Sequence, residues 1–228
     1  MTILAFDCAC AQCSVVLWRD GAVLAHRAEA LRHGQAEKLL PMIQAALGDA
    51  ALAYSGLAAI ATTLGPGSFT GLRAGLAAAR GLALATRLKA VGVTTLEVAA
   101  HQVDAAERRG RSVIVAIDTR RDDLFVQMFD EHLAAIAPAR IASASEAAAQ
   151  APCGALVLAG DATAGLAAAL ASEGRDVIAS RHAGAIDAAV IARLAATRLA
   201  SGAGLEPLAP VYLRAPEITP APAKGRSA

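Results

Sequence analysis

Aromatic residues are scarce in this chain of 228 residues. There are four Phe, two Tyr and one Trp, 3% of the total, whereas hydrophobic residues make up 56%. Ala, Leu and Val must therefore fill the core, in one domain or two small ones. The formal net charge is only +1 and no basic block is present, which argues against strong nucleic-acid binding by this chain alone.

Long apolar runs are also missing. Arg73, Arg80 and Arg87 interrupt the best candidate, so no run reaches the ~18 residues that a membrane span needs. The N-terminus has no basic segment, and Asp7 falls where a signal peptide would be apolar. We expect a cytoplasmic protein without a membrane segment.

The common catalytic and phosphate-binding motifs are absent. The glycine-rich turn at 65–71 matches neither G-x-x-x-x-G-K-[ST] nor G-x-G-x-x-G nor G-x-S-x-G, and no H-E-x-x-H occurs among the five histidines. No Ser, His and Asp set can be assembled from the sequence. We therefore predict no catalytic residues, no metal site and no cofactor.

Cysteine occurs at four positions, three of which crowd one short segment. The spacing of Cys10 and Cys13 is C-x-x-C, with Cys8 close by and Cys153 far away. Such spacing can be redox-active or bind metal. Since the segment has no fourth ligand and no nearby His, close packing in a tight hairpin is the favoured interpretation.

Two units with the same order of elements follow each other, at 1–108 and 109–214, before a Pro-rich tail at 215–228. Each begins with three strand patterns and continues with alternating helix and strand. Asp118 lies 111 residues after Asp7, in the same place of its unit. This order is typical of the actin-like superfamily (ASKHA, ribonuclease-H-like), so we predict an α/β fold of duplicated βββαβα units in two subdomains.

The predicted element bounds follow from periodicity and turn residues. Strands are expected at 2–7, 13–18, 22–26, 57–64, 89–93, 112–118, 124–130, 133–141, 155–159 and 177–180. Helices are expected at 35–47, 69–87, 94–108, 143–151, 165–172 and 186–201.

Each unit places an Asp, Asp7 or Asp118, at the end of its first strand. Active members of the superfamily grip nucleotide phosphates there and usually follow the Asp with Gly and with Thr or Ser. Here Cys8-Ala9-Cys10 and Thr119-Arg120-Arg121 follow instead. We interpret both as degenerate nucleotide-hairpin positions. Asp7 could hold a metal-bound water or cap its own turn, and the cap is favoured because partners for catalysis are missing.

A Gly65-Pro66-Gly67-Ser68 turn joins a strand to the long helix at 69–87. Gly65 and Gly67 allow backbone angles closed to other residues, and Ser68 is a candidate N-cap. The turn could bind an anion weakly at the helix N-terminus or serve only as a structural corner, and the structural interpretation is favoured.

The helices at 35–47 and 69–87 are apolar over much of their circumference. One interpretation is that both are inner helices of one domain. The other is that they form an interface for a partner or a second copy, with a strip of small residues that lets another helix approach. The candidate interface residues are Leu39, Leu40, Ile43, Leu47, Gly71, Leu72, Gly75, Ala78, Ala79 and Leu82. On this model, Gly75→Arg would block the partner and leave the fold intact.

The motif GPGSFTGLRAG, with IAT before it and GLALA and GVTTLE after it, resembles the signature of the TsaB (YeaZ) family. Five further segments are also similar to that family: ILAFD with CSVVLW, HGQAEKLLPMI, IDTRRDDLFVQMFD, LAGDA, and PVYLR. The family belongs to the actin-like superfamily. The resemblance extends over nearly the whole chain except the tail, and Cys8-Ala9 departs from the usual Thr-Ser.

The resemblance implies a role that composition could not supply. TsaB proteins are non-catalytic subunits in the synthesis of N6-threonylcarbamoyladenosine (t6A), next to the anticodon of tRNAs that read ANN codons. They pair with the catalytic paralogue TsaD and with the ATPase TsaE, and reach tRNA only through the complex. A homodimer is expected when the subunit is free.

The catalytic paralogue carries N-H-L-E-G-H, whose histidines bind the metal. Thr95 and Ala99 hold those positions here. In the family, the first two helices of the N-terminal half build the dimer interface, which implies the helices at 35–47 and 69–87. The alternatives are a metal-dependent glycoprotease-like hydrolase and an actin-like ATPase or kinase.

Overall fold

Two five-stranded β-sheets organise the chain, and the computed structural model describes residues 1–10, 12–31, 34–182, 184–202 and 208–214. The first unit contains β1 (Thr2–Asp7), β2 (Gln12–Arg19), β3 (Ala22–Ala30), α1 (Gln35–Asp49), β4 (Ala59–Thr63), α2 (Phe69–Thr86), β5 (Lys89–Val93) and α3 (Thr95–His101). The second contains β6 (Arg111–Asp118), β7 (Leu124–Phe129), β8 (Arg140–Ala142), α4 (Ala144–Ala149), β9 (Ala155–Ala159), α5 (Thr163–Ser172), β10 (Val177–Ala179) and α6 (Ala188–Ser201).

Both sheets have the same topology. The strand order is β3-β2-β1-β4-β5 in the first sheet and β8-β7-β6-β9-β10 in the second. In each sheet the first three strands of the unit are antiparallel neighbours and the last two join in parallel. The predicted duplicated α/β architecture is confirmed.

The central strand β1 is buried on both faces, as its unbroken apolar run requires. Leu4 and Phe6 point into a core shared with α1 and α2. Ile3 and Ala5 belong to a second core, which also includes residues of α3, α6 and the second sheet. A third core lies between the second sheet and helices α4 and α5.

The last helix of each unit packs on the other unit. Helix α6 contacts β1, β2, β4 and β5 of the first sheet, whereas α3 contacts β6 and β7 of the second. Glu97 of α3 and Arg198 of α6 form an ion pair of 2.6 Å between the exchanged helices. The predicted division into subdomains 1–108 and 109–214 stays a proposal. Helix α6 belongs to the second range but packs on the sheet of the first.

Two predicted elements are shorter than expected by six or more residues. The strand expected at 133–141 is limited to β8, because the Asp130 side chain accepts the backbone N–H groups of His132 and Ala134 and forms a turn there. The helix expected to reach residue 108 ends as α3 at His101, and Asp104 starts a separate turn. The tail at 215–228 lies outside the described residues. Among those described, no helix is long and apolar enough to cross a membrane.

Candidate functional site

The corner between β4 and α2 is tied to the rest of the chain by its backbone. The N–H of Ser68 donates to the carbonyl of Ala9 at 2.7 Å, and the Ser68 hydroxyl accepts the N–H of Gly71 at 3.4 Å. The carbonyl of Gly65, whose φ is +89°, accepts the N–H of Thr95 at 2.9 Å. Because these groups already have partners within the chain, the geometry favours a structural corner over an anion site.

Helix α2 starts in close contact with the β1–β2 loop. A Cβ placed on Gly71 would lie 1.8 Å from the carbonyl oxygen of Cys8, and one on Gly67 would lie 2.5 Å from that of Ala9. Both distances are far below van der Waals contact, so only glycine allows the helix to approach this closely. The small residues at the start of α2 therefore serve packing within the chain.

This packing places most of the predicted interface residues inside the chain, and the interface assignment itself stays a proposal. Gly75 faces Cys8 and Thr62, and a Cβ on it would lie 3.4 Å from each of their side chains. Most of the predicted interface residues are likewise buried in the chain's own core: Leu39, Ile43, Leu47, Gly71, Leu72, Gly75 and Ala79. Gly75→Arg would therefore disrupt the fold, contrary to expectation. Ala78 and Leu82 are half-buried, and Leu40 is exposed.

A different face of the two helices is open. Leu40 of α1 is 49% exposed and Leu84 of α2 is 83% exposed. Ala77, Gly81 and Ala85 are exposed on the same helix as Leu84. We call Leu40, Ala77, Gly81, Leu84 and Ala85 the outer face. Its residues are apolar and exposed, and the exposed Arg80 and Arg87 lie within one helical turn of Leu84.

Asp7 caps its own hairpin turn. One carboxylate oxygen accepts the N–H of Ala9 at 3.1 Å and the hydroxyl of Thr63, whereas the other is buried without a hydrogen-bond partner. Burial raises the pKa of Asp7, and the hydrogen bonds from Thr63 and the backbone oppose this only in part. The capping interpretation is supported, at the cost of a poorly satisfied buried carboxyl.

Asp118 occupies the equivalent place in the second unit but is more exposed. Its carboxylate accepts the N–H of Arg120 at 2.7 Å, and its own N–H donates to Asp161 at 2.9 Å. Burial raises the pKa of Asp161, and the nearby charge of Asp118 adds to this effect. The two hairpins thus differ in environment although their topology is the same.

The clustered cysteines are packed rather than poised for reaction. Cys8 and Cys13 are buried, and a hydrogen bond between their thiols raises the pKa of Cys8 and lowers that of Cys13. Burial raises the pKa of Cys10 well above its ordinary range. A raised pKa makes the thiols of Cys8 and Cys10 poor nucleophiles, and the Cys13 thiol is fully buried. Within the described ranges, no group of three or more His, Cys, Asp and Glu side chains could hold a metal ion.

Positions 95 and 99 lie in the interior. Both Thr95 and Ala99 are buried, and the Thr94 hydroxyl caps α3 by accepting the N–H of Glu97 at 3.1 Å. The Glu97 carboxylate pairs with Arg198. This segment therefore links α3 to α6.

A cleft of about 1340 Å³ opens between the two hairpins. Its walls come from the β1–β2 loop, the start of α2, the β6–β7 loop and the described C-terminal segment. Sequence analysis missed the side chains that give this cleft its character: Phe69, Arg73, Arg120, Arg121, Tyr212 and Arg214. The two arginines of TRRDD, and the Tyr and Arg of PVYLR, were the features of the sequence that could have indicated these residues.

The family model for TsaD, described as tRNA N6-adenosine threonylcarbamoyltransferase, matches residues 28–198. The chain belongs to this family. Among curated relatives, the TsaB protein of Escherichia coli is 40% identical over 126 residues, which are 55% of this chain and 53% of that protein. The TsaB protein of Haemophilus influenzae is 34% identical over 128 residues, 55% of this chain and 52% of that protein. The matched regions thus span about half the length of these relatives.

Solved structures cover far more of the chain. YeaZ from Pseudomonas aeruginosa is 28% identical with a TM-score of 0.78, over 93% of this chain and 99% of that one. The ethanolamine utilization protein EutJ of Carboxydothermus hydrogenoformans, 12% identical with a TM-score of 0.52 over 84% of this chain and 89% of that one, shares the fold alone. Together these findings confirm the resemblance to TsaB (YeaZ) and the actin-like fold.

The contact of α2 with the β1–β2 loop predicts opposite effects of two glycine substitutions in one helix. Gly71→Ala should lower the free energy of unfolding by roughly 2 kcal/mol, because the new methyl group meets a backbone carbonyl. Gly81→Ala, with no atom within 4 Å of its Cβ, should raise it by roughly 0.5–1 kcal/mol. Denaturant unfolding measures both, and equal effects would contradict the close contact.

Burial of Asp7 predicts a pH-dependent stability difference. The native pKa is raised above the ordinary 3.8, so ionisation of this carboxyl opposes folding progressively as pH rises through the native pKa. The free energy of unfolding of Asp7→Asn, relative to wild type, should therefore increase between pH 4 and pH 8. Denaturant titrations across this range test it. Asp122→Asn, which removes an exposed carboxylate, is the control.

Proposed function

We propose that this protein is a non-catalytic subunit that pairs with a TsaD-type catalytic paralogue. In this role it supports threonylcarbamoyl transfer to the adenosine next to the anticodon of ANN-decoding tRNAs. A TsaE-type ATPase would join the complex, and a second copy of this chain would take the partner's place when the subunit is free. The protein would act in the cytoplasm.

The observation that carries this proposal is the outer face of α1 and α2. Leu84 leaves most of its surface in water, and Leu40 leaves about half. Large apolar side chains left exposed on a helix are typical of sites where proteins associate. The family resemblance assigns the interface to these two helices, and the exposed residues support the proposal that this side of them meets the partner.

The environment of the other candidate residues supports a role without catalysis. Asp7 is fully buried, and one of its oxygens already holds the hairpin turn. Thr95 and Ala99, at the positions of the paralogue's metal ligands, are buried in the core and carry no imidazole. A hydrolase or a kinase would need a nucleophile, a base or a metal ligand set, and nothing among the described residues favours either alternative.

The outer face predicts the effect of a single charge. Leu84→Asp should reduce co-purification with a tagged TsaD-type paralogue by roughly tenfold or more, because the interface would lose an apolar side chain and would have to desolvate a carboxylate. Its exposed position in the free chain predicts an unchanged unfolding midpoint. Ile136→Asp is the matched control, since Ile136 is 50% exposed outside α1 and α2. Undiminished co-purification of Leu84→Asp would exclude this face as the interface.

The proposed role also predicts a chemical phenotype. Depletion of this protein should lower the t6A content of tRNA, because the catalytic paralogue would lack its partner. Mass spectrometry of tRNA nucleosides measures the content directly. Restoration by wild type but not by Leu84→Asp would connect the phenotype to the outer face, and an unchanged t6A level on depletion would refute the role.

A further inference from the structure

Two exposed aromatic side chains lie side by side at the mouth of the cleft. Phe69 is 55% exposed and Tyr212 is 46% exposed, and their ring centroids are 6.0 Å apart. They are the exposed aromatic residues of the described part of a chain that has few aromatic residues at all. Leaving both rings in water forgoes the free energy of burying them, which points to a ligand that covers them.

Arg73 orders this pair. Its guanidinium carbon lies 3.7 Å from the centroid of Phe69, and its Nε donates to the hydroxyl of Tyr212 at 3.1 Å. Phe69 and Arg73 are one helical turn apart on α2, so the helix presents them together. The arginine thereby holds two rings from distant parts of the chain in a fixed arrangement. We call Phe69, Arg73 and Tyr212 the aromatic platform.

The Tyr212 segment is itself held in place. The N–H of Val211 donates to the carbonyl of Leu64 at 2.7 Å, and Arg80 of α2 donates to the carbonyl of Leu208. The segment that carries Tyr212 is therefore held by the backbone of Leu64, just after β4, and by the Arg80 side chain of α2. A ligand that stacks on it would meet rings that are already ordered, which lowers the entropy cost of binding.

The walls around the platform are basic. Arg73, Arg120, Arg121 and Arg214 line the cleft, against Asp118 and Asp161. Arg214 is paired with Asp123, and Arg120 lies 3.7 Å from Asp118. No carboxylate of the described residues lies within 4.0 Å of the Arg73 guanidinium, so its remaining N–H donors can meet an anion. Arg73 therefore offers N–H donors to an anion at the mouth of the cleft.

The cleft suits a strand better than a single nucleotide. Its volume of about 1340 Å³ exceeds the roughly 300–1,000 Å³ of small-molecule sites. The backbone groups of Ala9 at the first hairpin already have hydrogen-bond partners within the chain and do not cradle a nucleotide phosphate. The N–H of Ala9 donates to Asp7, and the carbonyl of Ala9 accepts the N–H of Ser68. Aromatic rings beside arginines in a wide groove are the combination that binds single-stranded nucleic acid by stacking and phosphate contacts.

We propose that the aromatic platform binds unpaired nucleotides of an RNA loop, stacking a base on Phe69 or Tyr212 while Arg73 and Arg120 meet the flanking phosphates. The choice of RNA rests on the proposed function in tRNA modification, but goes beyond it by giving this chain its own contact with the substrate. The low net charge agrees with a small number of phosphate contacts and a modest, salt-sensitive affinity.

The test is fluorescence anisotropy of the purified full chain with a labelled anticodon stem-loop RNA of an ANN-decoding tRNA. Arg73→Gln and Tyr212→Leu should each weaken binding by roughly tenfold, because stacking and phosphate contacts of this kind contribute about 1–3 kcal/mol. Arg109→Gln is the matched control, since Arg109 is also exposed and does not line the cleft. Circular dichroism and the unfolding midpoint check that each variant is folded.

Competition distinguishes the kind of ligand. A fully paired RNA duplex and free ATP should compete poorly with the labelled loop. Displacement by ATP at concentrations equal to those of unlabelled stem-loop would overturn the assignment to RNA in favour of a free nucleotide. Wild-type affinity in both Arg73→Gln and Tyr212→Leu, or no binding of the stem-loop by the wild-type chain, would overturn the proposal.

The proposal and the proposed partner role can fail separately. Leu84→Asp should lose co-purification and keep RNA binding, whereas Tyr212→Leu should keep co-purification and lose RNA binding. Loss of both in either variant would contradict the separation of the outer face from the aromatic platform.

Discussion

The backbone of α2 touches the backbone of the β1–β2 loop, and both surface features of the molecule depend on this contact. Gly67 and Gly71 leave room for the carbonyls of Ala9 and Cys8, where any Cβ would collide. The N–H of Ser68 then donates to Ala9. With its start held in this way, α2 leaves Leu84 exposed and places Phe69 in the wall of the cleft.

The exchange of α3 and α6 connects the two halves of the molecule. Each helix covers the sheet of the other unit, and the Glu97–Arg198 pair joins them across the central core. One continuous apolar core includes residues of both sheets and both helices. The cleft has one wall from each unit, so this shared core keeps its walls, and the arginines on them, in a defined arrangement.

Local patterns were sufficient for much of the fold. The apolar run of β1, the Gly-Pro-Gly-Ser corner and the Asp at the end of each first strand predicted the duplicated order that the sheets show. The interface residues were harder to predict from the sequence, because α2 is apolar on two sides. A helical wheel places Gly71 and Gly75 on one strip but contains no information on whether that strip faces a partner or the chain itself. In the structure Gly71 lies against the carbonyl of Cys8, so this strip faces the chain itself.

The sequence by itself determined the fold class, the family and the positions of most helices and strands, because these follow from periodicity and short motifs within one segment. Only the tertiary structure decided which face of α1 and α2 is open, that Asp7 is buried with an unpartnered oxygen, and that an aromatic platform exists. Tyr212 and Arg73 are 139 residues apart. Their contact depends on where the C-terminal segment crosses β4 and α2, and no local pattern records a contact between segments so distant in the chain.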